Sequence, residues 1–309
     1  MKNIESSLKE NRIFNPPKAF SQQANIQKKH LDILINQFND DPDLFWSKMA
    51  KNEISWIEEF STVCSGKAPF YKWFDGGKLN VSENCIDRHI EKNKVAIKYI
   101  SEKNDITEIT YHELYIRVNQ FSHALKKINL SKQDRVIIYM PTIPESIVAM
   151  LSCARLGLIH SIVFAGFSAE SLKDRINDCS AKVIITVDGF YRNGKVIQTK
   201  KTVDDALAYG CPSIKKCIIF KNISIKIKFN DSVDLWWHEF IDKKDIFVEP
   251  EKMRSEDLLF ILYTSGSTGK PKGIKHSTAG YLLNCILTNK WVFDLKENDL
   301  FWCTADIGW

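Results

Sequence analysis

Three continuous apolar runs, separated by two helical patterns, constrain the fold of this chain more than any other feature. The runs are DRVIIYM (134–140), HSIVFAGF (160–167) and AKVIITVD (181–188), and the helices are predicted from Pro144 to Leu156 and from Ala169 to Cys179. Strands that are apolar throughout, rather than alternating, have both faces covered, as in parallel β-α-β units. The pattern therefore predicts an α/β fold around a buried parallel sheet.

The start of the chain has a different character and is predicted to form a helical extension on the larger body. Residues 1–25 are expected to be irregular, because the Pro16-Pro17 pair should block a helix. Two helices are predicted next, the first from Ile26 to Phe38 and the second from the Asp41-Pro42 cap to about Lys51. Alone, such a segment would bury little apolar surface.

A change of pattern near residue 86 marks the predicted domain boundary, with an extension over 1–85 and a main domain over 86–309. Early in the main domain, Thr110 and Glu113 form a predicted capping box for a helix that runs to about Lys127. Near the C-terminal end, LLFILYTSG (258–266) has the same apolar pattern as the predicted buried strands. A glycine loop and then a helix from about Thr278 are expected after it.

Composition narrows the functional classes. The chain has 43 Lys and Arg against 38 Asp and Glu, and its lysines are scattered, so no nucleic-acid-binding surface is predicted. The sequence shows neither a signal-peptide pattern nor an apolar run of bilayer length, so a cytoplasmic protein without membrane contact is expected. The eight cysteines lack metal-type spacing, so buried free thiols are predicted rather than a zinc site, a disulfide or a cysteine nucleophile.

The stretch YTSGSTGKPKG (263–273) carries the strongest functional signal. Glycines let backbone amides approach an anion, hydroxyl groups donate further hydrogen bonds and lysines supply charge, which is typical of a phosphate-binding loop. A solvent-exposed connection is the alternative. The Walker A pattern does not fit, because Thr264 stands where its first glycine is needed and Pro271 where its serine or threonine is needed.

The same stretch resembles the phosphate loop of the adenylate-forming superfamily, whose pattern is Tyr/Phe-Thr-Ser-Gly-Ser/Thr-Thr-Gly-x-Pro-Lys-Gly. Four longer stretches resemble the AMP-forming acetyl-CoA synthetases in particular: residues 14–26, 72–89, 160–176 and 280–309. The resemblance covers the chain apart from a lysine-rich segment near 214–245. It implies an incomplete large N-terminal domain of an adenylate-forming enzyme, with parallel β-α-β units and a helical N-terminal extension.

Enzymes of this family join acetate to ATP, release pyrophosphate and pass the acetyl group from acetyl-adenylate to coenzyme A (CoA). By the resemblance, the loop holds the β- and γ-phosphates of ATP, and Mg²⁺ helps to offset the repulsion between acetate and triphosphate. The residues so implied are Thr264, Ser265, Gly266, Ser267, Thr268, Gly269 and Lys270. The loop is expected to be mobile. Neither a catalytic residue nor a metal ligand is implied within this chain.

A second implied site binds CoA, and GFYRNGK (189–195) resembles the family's turn for its 3′-phosphate. The implied contacts in the turn are Arg192, Asn193, Gly194 and Lys195. Lys195 stands where many relatives have arginine, so it should act as a point charge rather than a bidentate fork. The stretch implied beside the adenine of CoA is Phe164, Ala165 and Gly166, with alanine where glycine is usual. A basic pair on the surface is the alternative reading of the turn.

Trp309 matches a tryptophan next to the acyl pocket of the family, and Asp306 belongs to the same motif. Core packing explains both residues equally well. His160 and His276 are expected to be structural or peripheral, because this chemistry needs no histidine base.

The resemblance also implies parts that lie outside these 309 residues: most of the acetate pocket, the contacts to adenine and ribose, the Mg²⁺ ligand and a small domain with the adenylation lysine. We therefore expect the N-terminal part of an acetate–CoA ligase, inactive as an isolated chain and with an open sheet edge. One alternative is a non-catalytic nucleotide- or CoA-binding fragment. Others are a non-functional fragment, a partner of a separately encoded C-terminal remainder, and part of a propionate or other short-chain acyl-CoA ligase.

Overall fold

The computed structural model describes residues 12–92, 94–264 and 271–308. Helices pack on both faces of a central sheet in this part of the chain. In chain order the α-helices are α1 (Lys18–Gln23), α2 (Lys28–Asp40), α3 (Pro42–Glu53), α4 (Val81–Cys85), α5 (Tyr111–Lys126), α6 (Pro144–Arg155), α7 (Ala169–Cys179), α8 (Thr199–Ala208), α9 (Trp237–Phe240) and α10 (Thr278–Leu287). A 3₁₀ helix follows α4 at Asp87–Lys92, and a π-helical turn follows α10 at Thr288–Val292.

The strands fall into one large sheet and four small antiparallel pairs. In chain order they are β1 (Thr62–Lys67), β2 (Phe70–Asp75), β3 (Lys78–Leu79), β4 (Val95–Ile100), β5 (Ile106–Thr110), β6 (Arg135–Tyr139), β7 (Ile159–Ile162), β8 (Val183–Val187), β9 (Phe190–Arg192), β10 (Lys195–Ile197), β11 (Lys216–Phe220), β12 (Asp234–Trp236), β13 (Met253–Arg254), β14 (Leu258–Thr264) and β15 (Lys272–Ser277). The small pairs are β1 with β2, β3 with β13, β4 with β5, and β9 with β10.

The central sheet has the strand order β12-β11-β8-β6-β7-β14-β15. All neighbours pair in parallel except β14 and β15. Every residue of β7 and β8 is buried, as is all of β6 after its first residue. The buried parallel sheet predicted from the apolar runs is thus confirmed.

The sheet separates two apolar cores because successive side chains of a strand point to opposite faces. On β6, Val136 and Ile138 belong to the core that α5 and α6 cover, whereas Ile137 and Tyr139 belong to the core that α7 and α8 cover. Two-sided burial explains why these strands read as continuous apolar runs.

A third core joins the N-terminal extension to α10. Ala50, Ile54 and Phe74 of the extension pack in one cluster with Leu282 and Leu283 of α10. The extension therefore completes its core with a helix from the far end of the chain. The division into 1–85 and 86–309 remains a prediction.

Two local expectations were wrong. Residues 18–23 form α1 directly after Pro17, whose ring suits a helix start even though it would break a helix interior. The second error concerns β15, which lies between the glycine loop and α10 where only a loop was expected. Four of its six residues are exposed, so it lacks the apolar pattern of the buried strands.

No helix of the described ranges is long and apolar enough to span a bilayer.

Candidate functional site

The predicted CoA residues come from two loops. Both loops begin at the carboxyl ends of parallel strands of the central sheet, β7 and β8, which flank β6. One loop follows β7 and contains Phe164 and Gly166, and the other follows β8 and leads into β9, which ends at Arg192. The carboxyl ends of parallel strands lie together, so the sheet brings the two loops into contact. The Arg192 Cζ atom lies 4.8 Å from the centre of the Phe164 ring.

Gly166 allows this close approach. A Cβ atom at this position would lie 2.5 Å from Cε1 of Phe164 and 3.3 Å from Nη1 of Arg192. Any larger residue would push either the ring or the guanidinium away. The structure thus brings three of the predicted CoA residues together.

Ala165 departs from the family pattern, but its methyl group causes no visible crowding at the surface. The residue is only 2% exposed and is part of the buried apolar set, whereas its neighbour Gly166 is exposed. The alanine side chain is therefore buried in the protein.

The turn between β9 and β10 contains the remaining CoA candidates. Asn193 and Gly194 have φ angles of 50° and 71°, the left-handed pair that a two-residue hairpin turn requires and that Asn-Gly favours. Arg192 and Lys195 are exposed cross-strand partners on either side of this turn. Two cations at opposite positions repel each other, so an anion at this turn would be stabilising.

Asp188, at the end of β8, fixes the base of this hairpin. It is fully buried. Its Oδ1 atom accepts hydrogen bonds from the backbone N–H of Gly189 at 2.8 Å and of Asn222 at 2.8 Å, and its Oδ2 atom accepts one from Ile225 at 3.0 Å. The Asn222 side chain in turn donates to the Gly189 carbonyl at 2.9 Å. The sequence offered only a weak signal for this residue, an aspartate at the end of an apolar strand.

The predicted ATP loop joins β14 to β15. Ser265, Gly266, Ser267, Thr268, Gly269 and Lys270 lie outside the described residues. Thr264 is the exposed last residue of β14, and it pairs with Lys272 of β15. The loop thus spans the tip of an antiparallel hairpin rather than a strand-to-helix connection.

Side chains from α7 contact this hairpin close to the end of β14, where the loop begins. The Tyr263 hydroxyl donates to Oδ2 of Asp178 at 2.6 Å, and burial together with this hydrogen bond raises the tyrosine pKa. The Arg175 Cζ atom lies 5.5 Å from the ring centre of Tyr263 and 4.6 Å from that of Phe167. One helix therefore contacts both the ATP hairpin and the loop that contains Phe164.

The segment TADIG (304–308) lies against the loop that contains Phe164. A Cβ atom on Gly308 would lie 3.0 Å from the backbone nitrogen of Phe164, and Gly308 N–H donates to Oδ1 of Asp306 at 2.8 Å. Trp309 lies outside the described residues, so its predicted place beside the acyl pocket remains a prediction.

The two histidines lie in an aromatic stack away from these loops. His160, on β7, is 5% exposed, and its ring centre lies 5.6 Å from that of Phe260. His276, on β15, also stacks on Phe260, with 4.4 Å between the two ring centres. Burial lowers the pKa of both, that of His160 to about 4. These contacts are packing contacts.

A cavity of about 360 Å³ lies elsewhere, between α5, α6 and the segment that follows β12. Its walls include Arg117, Glu145 and Trp237, and they contain none of the predicted site residues. Of the predicted CoA residues outside this cavity, Phe164 is half-buried and Arg192 is exposed.

Comparisons with known sequences identify the family of the chain. The family described as "AMP-binding enzyme" matches residues 86–309, and the family described as "Acetyl-coenzyme A synthetase N-terminus" matches residues 32–85. The acetyl-coenzyme A synthetase of Helicobacter pylori (strain P12) is 51% identical over 305 residues, covering 96% of this chain and 46% of that protein. That of Laribacter hongkongensis (strain HLHK9) is 49% identical over 314 residues, covering 100% and 48%.

Comparison of structures leads to the same fold. The acetoacetyl-CoA synthetase from Streptomyces lividans superposes with a TM-score of 0.81 at 26% identity, covering 87% of this chain and 42% of that one. The chain spans about half the length of the curated relatives it matches. The resemblance seen in the glycine loop and its flanking stretches is thereby confirmed, and the chain belongs to the family of AMP-binding enzymes.

Proposed function

We propose that the chain is the N-terminal part of an acetate–CoA ligase. In the first step a carboxylate oxygen of acetate attacks the α-phosphorus of ATP, the bond to the β-phosphate breaks, and acetyl-adenylate and pyrophosphate form. In the second step the CoA thiol loses its proton, its sulfur attacks the acetyl carbon, and AMP leaves. The sum is ATP, acetate and CoA converted to acetyl-CoA, AMP and diphosphate.

One observation carries the proposal. In a chain about 50% identical to acetyl-CoA synthetases, Arg192 lies on Phe164 beside Gly166, where a Cβ atom would clash with the ring and crowd the guanidinium. A guanidinium on an aromatic ring, next to exposed backbone, suits a ligand with both a base and a phosphate, as CoA has. Lys195, across the hairpin, adds the second positive charge.

For ATP we propose the loop from Thr264 to Lys270 as the site of the β- and γ-phosphates. Backbone amides, hydroxyl groups and Lys270 would neutralise the charge that develops on the departing pyrophosphate. The hairpin of β14 and β15 supports this role, because its paired strands place the ends of the loop side by side.

Mg²⁺ is the ion expected with the triphosphate. In the described ranges no three His, Cys, Asp or Glu side chains converge in a way that could hold a metal, so no residue of these ranges is assigned to it. Magnesium is commonly held by substrate phosphates with only one or two carboxylates, and the ion would accordingly enter with ATP.

We further propose that residues 1–85 act as the extension of acetyl-CoA synthetases and residues 86–309 as the nucleotide-binding domain. A cytoplasmic location stays a prediction. A second candidate function is binding of nucleotide or CoA without catalysis, for which the contact between Arg192 and Phe164 would suffice. Activity towards propionate or another short-chain acid instead of acetate also stays an alternative.

Calorimetric titration of the 309-residue chain with CoA tests the proposed CoA site. We expect saturable binding that Arg192→Ala and Lys195→Ala each weaken about three- to tenfold, because each loses a charge-assisted contact to phosphate. Lys48→Ala, an exposed lysine on α3, is the matched control and should leave the affinity unchanged. A folded chain that binds no CoA would refute the site.

Two further observations test the catalytic part of the proposal, and the second separates the ligase from a binding fragment. Acetate-dependent exchange of pyrophosphate into ATP is expected to be absent from the isolated 309-residue chain, and its presence would contradict that expectation. A reading frame that continues beyond codon 309, directly or after a one-base shift, and encodes the remaining family motifs would support the ligase. A stop without such motifs would support the binding fragment.

A further inference from the structure

The turn proposed to bind the 3′-phosphate of CoA is in contact with a second turn far away in sequence. Glu102 lies in the turn between β4 and β5. Its Oε1 atom accepts a hydrogen bond from the backbone N–H of Gly194, at an N···O distance of 2.7 Å. Next to it, the Lys103 Nζ atom lies 4.7 Å from the ring centre of Tyr191. The two hairpins therefore meet at the amide that separates the two cations of the turn.

An anion is thus already bound at the turn, and it is a side chain of the protein itself. Arg192 and Lys195 are cross-strand partners, and the Gly194 N–H lies in the chain between them. A carboxylate on such an amide makes a charge-assisted hydrogen bond, the same kind of bond that a phosphate oxygen would make. It also offsets the repulsion between the two cations.

We propose that Glu102 is a specificity-determining residue of the CoA turn, which competes with the ligand's 3′-phosphate for the Gly194 amide. The inference rests on the proposed CoA site. A phosphate monoester has a charge of about −1.5 to −2 and three acceptor oxygens, so it can displace a carboxylate that a less charged group cannot. Glu102 therefore lowers the affinity for every anion at the turn and leaves the strongest one able to bind.

The competition is local because Glu102 and the turn are both exposed. Charges at exposed positions interact weakly and are screened by salt, so the effect of one carboxylate is expected to be about two- to fivefold in the dissociation constant at low ionic strength. The effect should be confined to ligands that place a phosphate at the turn.

The test compares CoA with 3′-dephospho-CoA as ligands of the 309-residue chain, by calorimetric titration at low and at high salt. Glu102→Gln removes the charge and keeps an acceptor for the Gly194 N–H. It should bind CoA about two- to fivefold more tightly than the unsubstituted chain at low salt, and less so at high salt. The affinity for 3′-dephospho-CoA should not change.

Glu108→Gln is the matched control, because Glu108 lies on β5 of the same hairpin and pairs with Lys98 at 2.9 Å instead of with the turn. It makes the same change of charge and should leave both affinities unchanged. Glu102→Ala, with thermal unfolding to verify the fold, should act in the same direction as Glu102→Gln.

Three results would overturn the inference. If Glu102→Gln binds CoA as the unsubstituted chain does, or more weakly, the contact only joins the hairpins. If the variant gains equally for both ligands, the effect is not directed at the 3′-phosphate. If the unsubstituted chain binds neither ligand, the proposed CoA site fails as well, which distinguishes that failure from the failure of Glu102 alone.

Discussion

At the scale of single residues, Asp188 shows how a side chain outside the binding surface determines its shape. One buried carboxylate joins the residue before the hairpin to the segment after β11, because it accepts hydrogen bonds from the backbone N–H groups of Gly189 and Asn222. A carboxylate accepts but never donates, so it suits a site where several N–H groups converge. The sequence could predict neither this contact nor that of Glu102 with Gly194, because the partners are far apart along the chain and belong to irregular segments.

His160 gives a residue-scale prediction about acid stability. In the folded chain burial lowers its pKa to about 4, against an ordinary 6.5. The unfolded chain therefore takes up the proton first as the pH falls. The folded state keeps its full stability above pH 6.5 and loses about 2–3 kcal/mol of it as the pH falls towards 4.

His160→Phe should remove this loss while keeping the stack on Phe260. Within the described residues Nδ1 of His160 has no hydrogen-bonding partner, so the substitution breaks no bond there. Urea unfolding at pH 7 and at pH 4.5 measures the difference. Relative to the unsubstituted chain, the variant should gain stability at the lower pH, whereas His30→Gln, at an exposed position of α2, should not. An equal loss in the His160 variant would contradict the prediction.

At the scale of elements, the start of α5 is the clearest case of a local signal. Thr110 and Glu113 form the predicted capping box: Glu113 N–H donates to the Thr110 hydroxyl at 3.2 Å, and Thr110 N–H donates to the glutamate at 2.8 Å. The hydrogen bonds that the Thr110 N–H and the Thr110 hydroxyl donate to the carboxylate lower the pKa of Glu113. All partners lie within four residues, which is why the sequence alone could identify them.

Thr110→Ala should lower the free energy of unfolding by about 1 kcal/mol, because the helix loses its side-chain cap. Thr110→Ser keeps the hydroxyl and is the matched control, with a smaller effect expected. Urea unfolding followed by circular dichroism compares the three chains. A serine variant as unstable as the alanine variant would show that the hydroxyl contributes nothing.

The β14–β15 hairpin shows where element prediction fails. Apolar runs identify strands that are buried on both sides, and β15 is an exposed edge strand with a glycine at its second position. Among the described residues it pairs with β14 alone, and that pairing depends on the tertiary structure. The sequence therefore predicts a helix directly after the glycine loop, whereas the structure has the strand β15 before α10.

At the scale of the whole molecule, the apolar runs predict the parallel sheet but not the order of its strands. Order depends on which helix packs on which face, and no pattern in the sequence states that. The third core has the same origin: Phe74 and Leu79 meet Leu282 and Leu283 only in the folded chain. Periodicity predicts the individual strands and helices, whereas the fold as a whole is predicted from the resemblance to a known family.

Leu282→Ala tests whether the extension and the main domain share that core. The side chain is 6% exposed, so its truncation should lower the free energy of unfolding by about 2–5 kcal/mol and make the extension more sensitive to protease. Leu44→Ala, at a half-exposed position of α3, is the matched control and should cost less than about 1 kcal/mol. If the two substitutions lowered the free energy of unfolding equally, α10 would not contribute to the core of the extension.

Arg175 contacts the ring of Phe167, in the loop that follows β7, and the ring of Tyr263, near the end of β14. It projects from α7, where each added residue turns the following side chains by about 100° around the axis. A single insertion before Arg175 would swing the guanidinium away from both rings at once. The position of the loop after β7 relative to the β14–β15 hairpin therefore depends on the helical register of α7.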